Sequence, residues 1–215
     1  HRDIKPENIM VNPETLEIKL TDFGSSRKAG TRIQYTDYIS TRWYRAPECI
    51  LTCGSYGPAI DIWAIGCIFY EILSGRPLFP GENELDQISK INQVIGSPTL
   101  ETLAQFSHNP TNNPVFQKFN FPHRNALDLS ILLQTTNTDL VDLIQKMLTY
   151  NPTDRISAQE ALHHSAFTLI RQYESEWENY AVETRNRIAL PLYIIKKING
   201  ESINSSPQKV DTKIE

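Results

Sequence analysis

Four side chains near the start of the sequence are of types, and at spacings, that suit chemistry on phosphate groups. Asp3, Lys5 and Asn8 follow one another closely, and Asp22 lies 14 positions beyond Asn8. Amide and carboxylate oxygens such as those of Asn8 and Asp22 are the ligands that Mg²⁺ prefers. A carboxylate can accept the proton of an attacking hydroxyl, and an ammonium group can offset the charge of a transferring phosphoryl group. These types of side chain, taken together, suit metal-assisted chemistry on a phosphate group.

A short β-hairpin is the element that must bring the two candidate metal ligands together. Residues 9–11 form an apolar run, Asn12-Pro13 is a turn signal, and apolar and charged residues alternate over 16–20. This pattern predicts two paired strands that return the chain, so that the second ligand arrives beside the first. Gly24 is expected to give the backbone freedom to change direction after that ligand.

Three motifs around these residues resemble those of the protein kinases. Residues 1–8 (His-Arg-Asp-Ile-Lys-Pro-Glu-Asn) match the catalytic loop, residues 22–24 (Asp-Phe-Gly) match the metal-binding motif, and residues 46–48 (Ala-Pro-Glu) match the motif that follows the activation segment. Taken singly, the first two would more often be solvated surface or an ordinary turn. Together, in this order, they favour a kinase, and Lys-Pro-Glu-Asn in the loop is typical of serine/threonine kinases. The resemblance implies that Asp3 accepts the proton of the substrate hydroxyl, or at least orients that hydroxyl, and that Lys5 offsets charge on the phosphoryl group as it is transferred.

The segment from 35 to 49 narrows the resemblance to the CMGC superfamily. Thr-x-Tyr at 36–38, followed by Thr-Arg-Trp-Tyr-Arg-Ala-Pro-Glu, is typical of mitogen-activated protein kinases and their relatives. With Asn-Glu-Leu-Asp-Gln-Ile at 83–88, the segment resembles the MAK/ICK/MOK group and, within it, the MOK type. This resemblance implies a serine/threonine protein kinase that prefers proline after the target residue, a preference associated with Arg45.

The resemblance also implies a site for MgATP, in which Mg²⁺ accompanies the nucleotide. The residues implied to contact ATP are Lys5, Asn8, Met10 and Asp22, of which Asn8 and Asp22 would hold the metal. Met10 would form the floor of the adenine pocket. Thr41 would hydrogen bond to Asp3 and Lys5, and it is therefore grouped with them as a catalytic residue.

Thr36 and Tyr38 are implied to be phosphorylation sites that an upstream kinase uses to switch on the activity. A phosphate adds about −1.5 to −2 charge, and it orders a loop when arginines receive it. The arginines implied to do so are Arg2 and Arg27 for the threonine phosphate and Arg42 and Arg45 for the tyrosine phosphate. The alternative is that these arginines only solvate the loop and that activity is constitutive.

Three further residues are expected to be structural. In the resembled family Glu48 pairs with a distant arginine, which Arg155 matches, and Asp61 anchors the backbone of the catalytic loop. Residues 59–73 are apolar on nearly every face, which also suits a membrane span. The run is too short for a span, however, and Asp61 and Glu71 interrupt it. It is therefore predicted to be the central helix of a core.

The predicted fold class is mainly α: a kinase-like C-terminal lobe with the small hairpin, and no N-terminal lobe in this chain. Residues 1–167 are predicted to be a partial kinase domain and 168–215 a C-terminal extension. That extension is expected to be helical over 168–190, to pack on the lobe, and to be disordered from 199. The other predicted elements are helices over 84–95 and 138–149, a helix opened by the capping box Ser157-x-x-Glu160, and a long loop over 97–134.

Composition limits the partners of the chain. Its 215 residues carry a net charge of −4, which gives no basic field for nucleic acid or for an anionic membrane. The three cysteines have no Cys-x-x-Cys spacing, so neither a disulfide framework nor a zinc site is expected. The protein is expected to reside in a reducing compartment. The expected partners are ATP, protein substrates and an upstream kinase. The protein is expected to be a monomer in the cytoplasm, with the nucleus or cilium as further locations.

Two other functions compete with the kinase hypothesis. The chain could be a catalytically inactive truncated lobe that acts as a protein-interaction module, or a fragment without a function of its own. The Gly-rich phosphate loop of kinases has no counterpart in the sequence. The isolated chain is therefore expected to have little activity and to expose apolar surface.

Overall fold

Helices make up most of the structure, a computed structural model that describes residues 1–28, 42–52, 56–106, 120–184 and 188–203. The chain divides into two compact units. The first consists of His1–Met10 and Leu20–Ala166, and the second of Val11–Lys19 and Phe167–Glu215. The predicted fold class, mainly α with one small hairpin, is confirmed.

The elements follow one another along the chain with short 3-10 turns between some of them. The strands are β1 (Ile9–Val11) and β2 (Ile18–Leu20), and the helices are α1 (Pro47–Leu51), α2 (Ala59–Ser74), α3 (Glu84–Ile95), α4 (Leu100–Phe106), α5 (Leu129–Leu133), α6 (Thr138–Met147), α7 (Ala158–Leu162), α8 (Thr168–Thr184) and α9 (Leu190–Asn199). The 3-10 turns are Pro6–Asn8, Phe23–Ser25, Arg42–Tyr44 and Ser165–Phe167.

Helix α2 forms the centre of the core in the first unit. Trp63 on α2 is fully buried, and its ring stacks on that of Phe79 with 5.7 Å between centroids. The last turn of α2 differs, since Ile72 is 73% exposed and Leu73 is 46% exposed. The prediction of a central core helix is therefore confirmed for α2 except in its last turn, because an apolar sequence does not show whether another element reaches each side chain.

Capping residues define two of the predicted helices. The Asn83 side chain accepts a hydrogen bond from the Asp86 N–H at 3.0 Å at the start of α3. Gly96 ends that helix with φ of 87°, and a Cβ there would lie 2.9 Å from the Ala126 nitrogen. The capping box of Ser157 and Glu160 opens α7, as predicted. These polar contacts satisfy backbone groups that a helix end leaves unpaired.

The segment 97–134 was predicted to be a loop, and this is wrong for the two parts of it that form α4 and α5. Thr99 Oγ1 accepts from the Thr102 N–H at 3.1 Å at the start of α4, and the Asp128 carboxylate accepts from the Ser130 N–H at 2.8 Å at the start of α5. Helices of 7 and 5 residues are too short to produce a clear apolar period. Residues 107–119 lie outside the described ones.

The described part of the second unit contains helices α8 and α9, which pack against each other. The rings of Tyr180 and Tyr193 lie 5.4 Å apart, and Lys197 Nζ lies 3.0 Å from Glu176 Oε2. Glu176 and Tyr180 of α8 thus contact α9, a packing that the sequence analysis did not predict. Packing of the extension on the lobe and disorder beyond 199 stay predictions, and residues 204–215 lie outside the described ones. Among the described residues, no helix has the length and apolarity needed to cross a membrane.

Candidate active site

The catalytic loop begins in a strained backbone conformation that α2 holds in place. Arg2 has φ of 72°, in the left-handed region that side chains other than glycine seldom adopt. The backbone nitrogens of His1 and Arg2 donate to the two carboxylate oxygens of Asp61, at 2.7 and 2.8 Å. Asp61 lies in the first turn of α2, so the loop is fixed to the most deeply buried helix of the core.

The side chains of Asp3, Lys5 and Asn8 form one hydrogen-bonded group. Lys5 Nζ lies 2.9 Å from Asp3 Oδ2, and Asn8 Nδ2 donates to the same oxygen at 3.1 Å and to the Asp3 carbonyl at 2.8 Å. Asn8 is buried. Since its amide nitrogen is committed to Asp3, the amide oxygen is the atom that remains for a cation.

The hairpin returns the chain so that the residue before Asp22 meets Asn8. The Thr21 N–H donates to the Asn8 carbonyl at 2.9 Å, and the Thr21 hydroxyl approaches the same carbonyl at 3.3 Å. The two candidate metal ligands are therefore brought to the same end of the hairpin, as the sequence predicted. No group of three or more His, Cys, Asp or Glu side chains suited to a metal exists among the described residues. A pair of oxygen donors fits Mg²⁺ whose remaining ligands are phosphates and water.

The role predicted for Gly24 needs correction. The left-handed residue at this point is Asp22, with φ of 57°, and its carboxylate accepts from the Gly24 N–H at 3.3 Å. A Cβ on Gly24 would lie 3.2 Å from Asp22 Oδ1. A side chain at position 24 would thus crowd the carboxylate, and the left-handed residue lies two positions earlier than predicted.

Apolar side chains on the hairpin and beside it face solvent. Met10, the predicted floor of the adenine pocket, is 57% exposed, and Val11, Ile18 and Leu20 are also exposed. Phe23 is exposed as well, with its ring edge-on to that of His1 at 4.9 Å. The predicted exposure of apolar surface is present here, whereas the contact of Met10 with adenine stays a prediction.

Two of the arginines predicted to receive phosphate lie at the same turn. Arg2 Nε donates to the Ser25 carbonyl at 2.6 Å, and its Nη1 donates to the Tyr56 hydroxyl at 3.2 Å. Arg27 Nη1 donates to the Ser26 carbonyl at 2.7 Å. The structure thus gathers Arg2 and Arg27 around the residues that follow the Asp-Phe-Gly motif.

The other two predicted receivers lie in and beside the 3-10 turn at 42–44. Arg42 Nη1 donates to the Glu82 carbonyl at 3.1 Å, and the Arg45 N–H donates to the Arg42 carbonyl at 3.0 Å. The predicted phosphorylation sites Thr36 and Tyr38, and the predicted catalytic residue Thr41, lie outside the described residues. Their contacts with these arginines and with Asp3 therefore stay predictions.

The Glu48–Arg155 pair is present and deeply buried. Nη1 and Nη2 of Arg155 lie 2.7 and 2.9 Å from the two carboxylate oxygens of Glu48, with the side chains 0% and 1% exposed. The same guanidinium donates to the Ala59 and Thr149 carbonyls and lies over the Trp63 ring at 5.1 Å. The pair joins α1, α2 and the loop before α7 at a single point.

Sequence reasoning missed a second polar link to α2. The Tyr44 hydroxyl donates to Glu71 Oε2 at 2.7 Å, and Tyr44 is buried. Burial, followed by this hydrogen bond, raises the pKa of Tyr44 well above its usual range. Glu71 could have been suspected from the sequence, since it is a charged residue within an apolar helix, but nothing local pointed to its partner.

Comparisons with known proteins agree with these motifs. The family model described as protein kinase domain matches residues 1–167. The MAPK/MAK/MRK overlapping kinase of Mus musculus is 47% identical over 176 residues, which is 82% of this chain and 40% of that protein. The Homo sapiens kinase of the same name is 44% identical over 191 residues, which is 89% of this chain and 43% of that protein. Mitogen-activated protein kinase 2 of Arabidopsis thaliana is 43% identical over 165 residues, which is 76% of this chain and 43% of that protein. The chain thus spans about two-fifths of the length of these relatives.

Proposed function

Since the chain belongs to the protein kinase family and is a MAK/MOK-like member of its CMGC superfamily, we propose that the whole protein transfers the γ-phosphate of MgATP to serine and threonine hydroxyls of protein substrates. The observation that supports this best is the hydrogen-bonded group of Asp3, Lys5 and Asn8 beside the returning hairpin. The loop sequence Lys-Pro-Glu-Asn supports the choice of serine and threonine over tyrosine.

In this mechanism the protein mainly positions groups and stabilises charge. The Asp3 carboxylate, oriented by Lys5 and Asn8, accepts a hydrogen bond from the substrate hydroxyl and then its proton. Lys5 offsets negative charge on the phosphoryl group as it moves. Asn8 and Asp22 would hold Mg²⁺, which supplies charge neutralisation at the phosphates when bound.

Proline direction and activation by phosphorylation belong to the same proposal. Arg45 would set the preference for proline after the target residue, as the resembled group implies. An upstream kinase would phosphorylate Thr36 and Tyr38, and the gathering of Arg2 and Arg27 at one turn supports a receiving site for the first phosphate. Action as a monomer in the cytoplasm, with the nucleus or cilium as further locations, is proposed on the resemblance and the cysteine pattern alone.

The test uses the whole protein from its native source, because this chain spans only part of its relatives' length. We expect phosphate transfer to serine and threonine peptides, strongest with proline following, and a loss of about 10²–10⁴-fold in rate on Asp3→Asn. Glu178→Gln, a neutralised exposed carboxylate, is the control and should leave the rate unchanged. Equal rates for wild type and Asp3→Asn would contradict the proposal.

A non-catalytic interaction module is the second candidate, and the exposed apolar side chains of the hairpin favour it. For the 215-residue chain alone we expect little or no kinase activity. ATP turnover by that purified chain, abolished by Asp3→Asn, would overturn this expectation. A whole protein of about this chain's 24.6 kDa mass, inactive in the same assay, would favour the module.

A further inference from the structure

A fully buried amide side chain lies in α3, a helix that the proposed mechanism does not use. Gln87 is 0% exposed, as are Ile88 and Ile91 on the same helix. An apolar side chain could fill a core position without loss of hydration, whereas a buried amide costs free energy unless it is hydrogen bonded. The hydrogen bonds of Gln87 are therefore the contribution of its amide group to the structure.

Both ends of this amide bind backbone groups outside α3. Gln87 Oε1 accepts from the Gly81 N–H at 3.0 Å, and Nε2 donates to the Trp43 carbonyl at 3.4 Å. The second contact spans 44 positions, so it depends on the fold. One side chain thus joins α3 to the loop that precedes it and to the 3-10 turn at 42–44.

The first turns of α3 hold the loop over residues 80–82 tightly. A Cβ on the buried Gly81 would overlap Gln87 Oε1 and would lie 2.7 Å from Gln87 Cα. The missing side chain therefore allows the loop backbone to approach the amide closely. One turn further along α3, Lys90 Nζ donates to the Pro80 carbonyl at 2.7 Å.

This loop reaches the 3-10 turn by a second route. The Glu82 N–H donates to Asp86 Oδ2 at 2.9 Å, which ties the end of the loop to α3. The Glu82 carbonyl in turn accepts from Arg42 Nη1 at 3.1 Å. The turn is thus fixed to α3 twice, directly through Gln87 and indirectly through the loop.

We propose that Gln87 is a positioning residue for the proline preference, because its amide fixes the turn from which Arg45 extends. The Arg45 N–H donates to the Arg42 carbonyl at 3.0 Å and so closes that turn. A shift of the Trp43 carbonyl therefore moves the backbone of Arg45, the residue assigned to that preference. Gln87 acts on substrate selection through Arg45 and leaves the phosphoryl transfer itself unchanged. This inference rests on the proposed function.

The test compares, in the whole protein, two peptides that differ only in having proline or alanine after the target serine. Gln87→Met keeps an unbranched side chain and removes both hydrogen bonds. The ratio of kcat/KM for the proline peptide to that for the alanine peptide should therefore fall about three- to tenfold, as for loss of one neutral hydrogen bond.

This fall should come from a higher KM for the proline peptide, whereas an enzyme that is only destabilised would lose rate on both peptides equally. Gln93→Met, the same change at an exposed position of α3, is the control and should leave the ratio unchanged. A wild-type ratio in Gln87→Met would overturn the inference.

Comparison with Arg45→Ala separates this inference from the proposed function. If wild type shows no preference for proline, or if Arg45→Ala keeps that preference, the proposed role of Arg45 fails and the inference fails with it. If Arg45→Ala abolishes the preference while Gln87→Met retains it in full, the inference alone is overturned. A reduced preference in both variants supports the inference.

A shorter amide covers the case in which Gln87→Met does not fold. Gln87→Asn keeps an amide in the core, but it is one methylene short and cannot hold the Gly81 N–H and the Trp43 carbonyl together in this geometry. Its proline-to-alanine ratio should also fall, and in the 215-residue chain the Arg45 N–H should exchange with solvent faster than in Gln93→Met. A wild-type ratio in Gln87→Asn would contradict the assignment of Gln87.

Discussion

Two ion pairs of this protein have similar N–O distances and different surroundings. Glu48 and Arg155 lie 2.7 Å apart with side chains 1% and 0% exposed, and Asp3 and Lys5 lie 2.9 Å apart with side chains 14% and 17% exposed. The first guanidinium also donates to backbone carbonyls, whereas the second pair lies in a loop with strained backbone. The same chemistry thus suits stability where the protein itself satisfies every group, and under the proposed function it suits catalysis where a substrate can still approach.

Breaking the buried pair should give the largest effect on stability. Glu48→Gln keeps the shape but leaves the Arg155 charge uncompensated inside the protein, so the free energy of unfolding should fall by about 3–5 kcal/mol. Chemical denaturation of the 215-residue chain measures this, with Glu178→Gln as the control. A loss no larger than that of the control would show that the burial of the pair has no energetic consequence.

The Tyr44–Glu71 hydrogen bond should have an intermediate effect. Tyr44→Phe removes the hydroxyl that donates to a partly buried carboxylate, so the free energy of unfolding should fall by about 1.5–3 kcal/mol. The matched variant is Tyr173→Phe, measured by the same denaturation. Equal stability of the two variants would mean that water replaces the lost donor at Glu71.

The catalytic pair should separate activity from stability. Lys5→Met keeps the stem of the side chain, and Asp3 retains its hydrogen bond from Asn8, so the free energy of unfolding should change by only about 1 kcal/mol. In the whole protein the same substitution should lower the rate of phosphate transfer at least about a hundredfold. If Lys5→Met lowered the stability strongly yet left the rate of phosphate transfer unchanged, the assignment of this pair to catalysis would be wrong.

The smallest effect on stability is expected for the cluster of Asp142, Lys146 and His164, and it depends on pH. A hydrogen bond from Lys146, followed by one from His164, lowers the pKa of Asp142 below its usual 3.8. Because the pKa of Asp142 is lower in the folded protein than in the unfolded one, its carboxylate stabilises the fold fully at pH values above the unfolded-state pKa. That stabilisation is lost as the pH falls through the folded-state pKa. Thermal unfolding of wild type and Asp142→Asn should therefore differ slightly near neutral pH and converge in strong acid. A difference that is constant with pH would contradict this assignment.

Sequence patterns predicted most of the fold because helix caps and apolar periods are local. The Asn83 cap and the capping box of Ser157 and Glu160 each act within three residues, and both helices begin where expected. The contact of Tyr44 with Glu71 spans 27 positions and that of Arg2 with Tyr56 spans 54, so no local pattern announces either. Glu48 and Arg155 are 107 positions apart, and their pairing was predicted only because a family resemblance supplied what local physics could not.

The hydrogen bonds between Asp61 and the catalytic loop make the position of that loop depend on the rotation of α2 about its axis. Successive residues of an α-helix differ by about 100° around its axis. One residue inserted between Trp63 and Asp61 would therefore turn the carboxylate away from the backbone nitrogens of His1 and Arg2, even though the core side chains after it kept their places. The same insertion after Ser74, beyond the end of α2, would leave that register intact. Tolerance to insertions should thus differ sharply between the two ends of one helix.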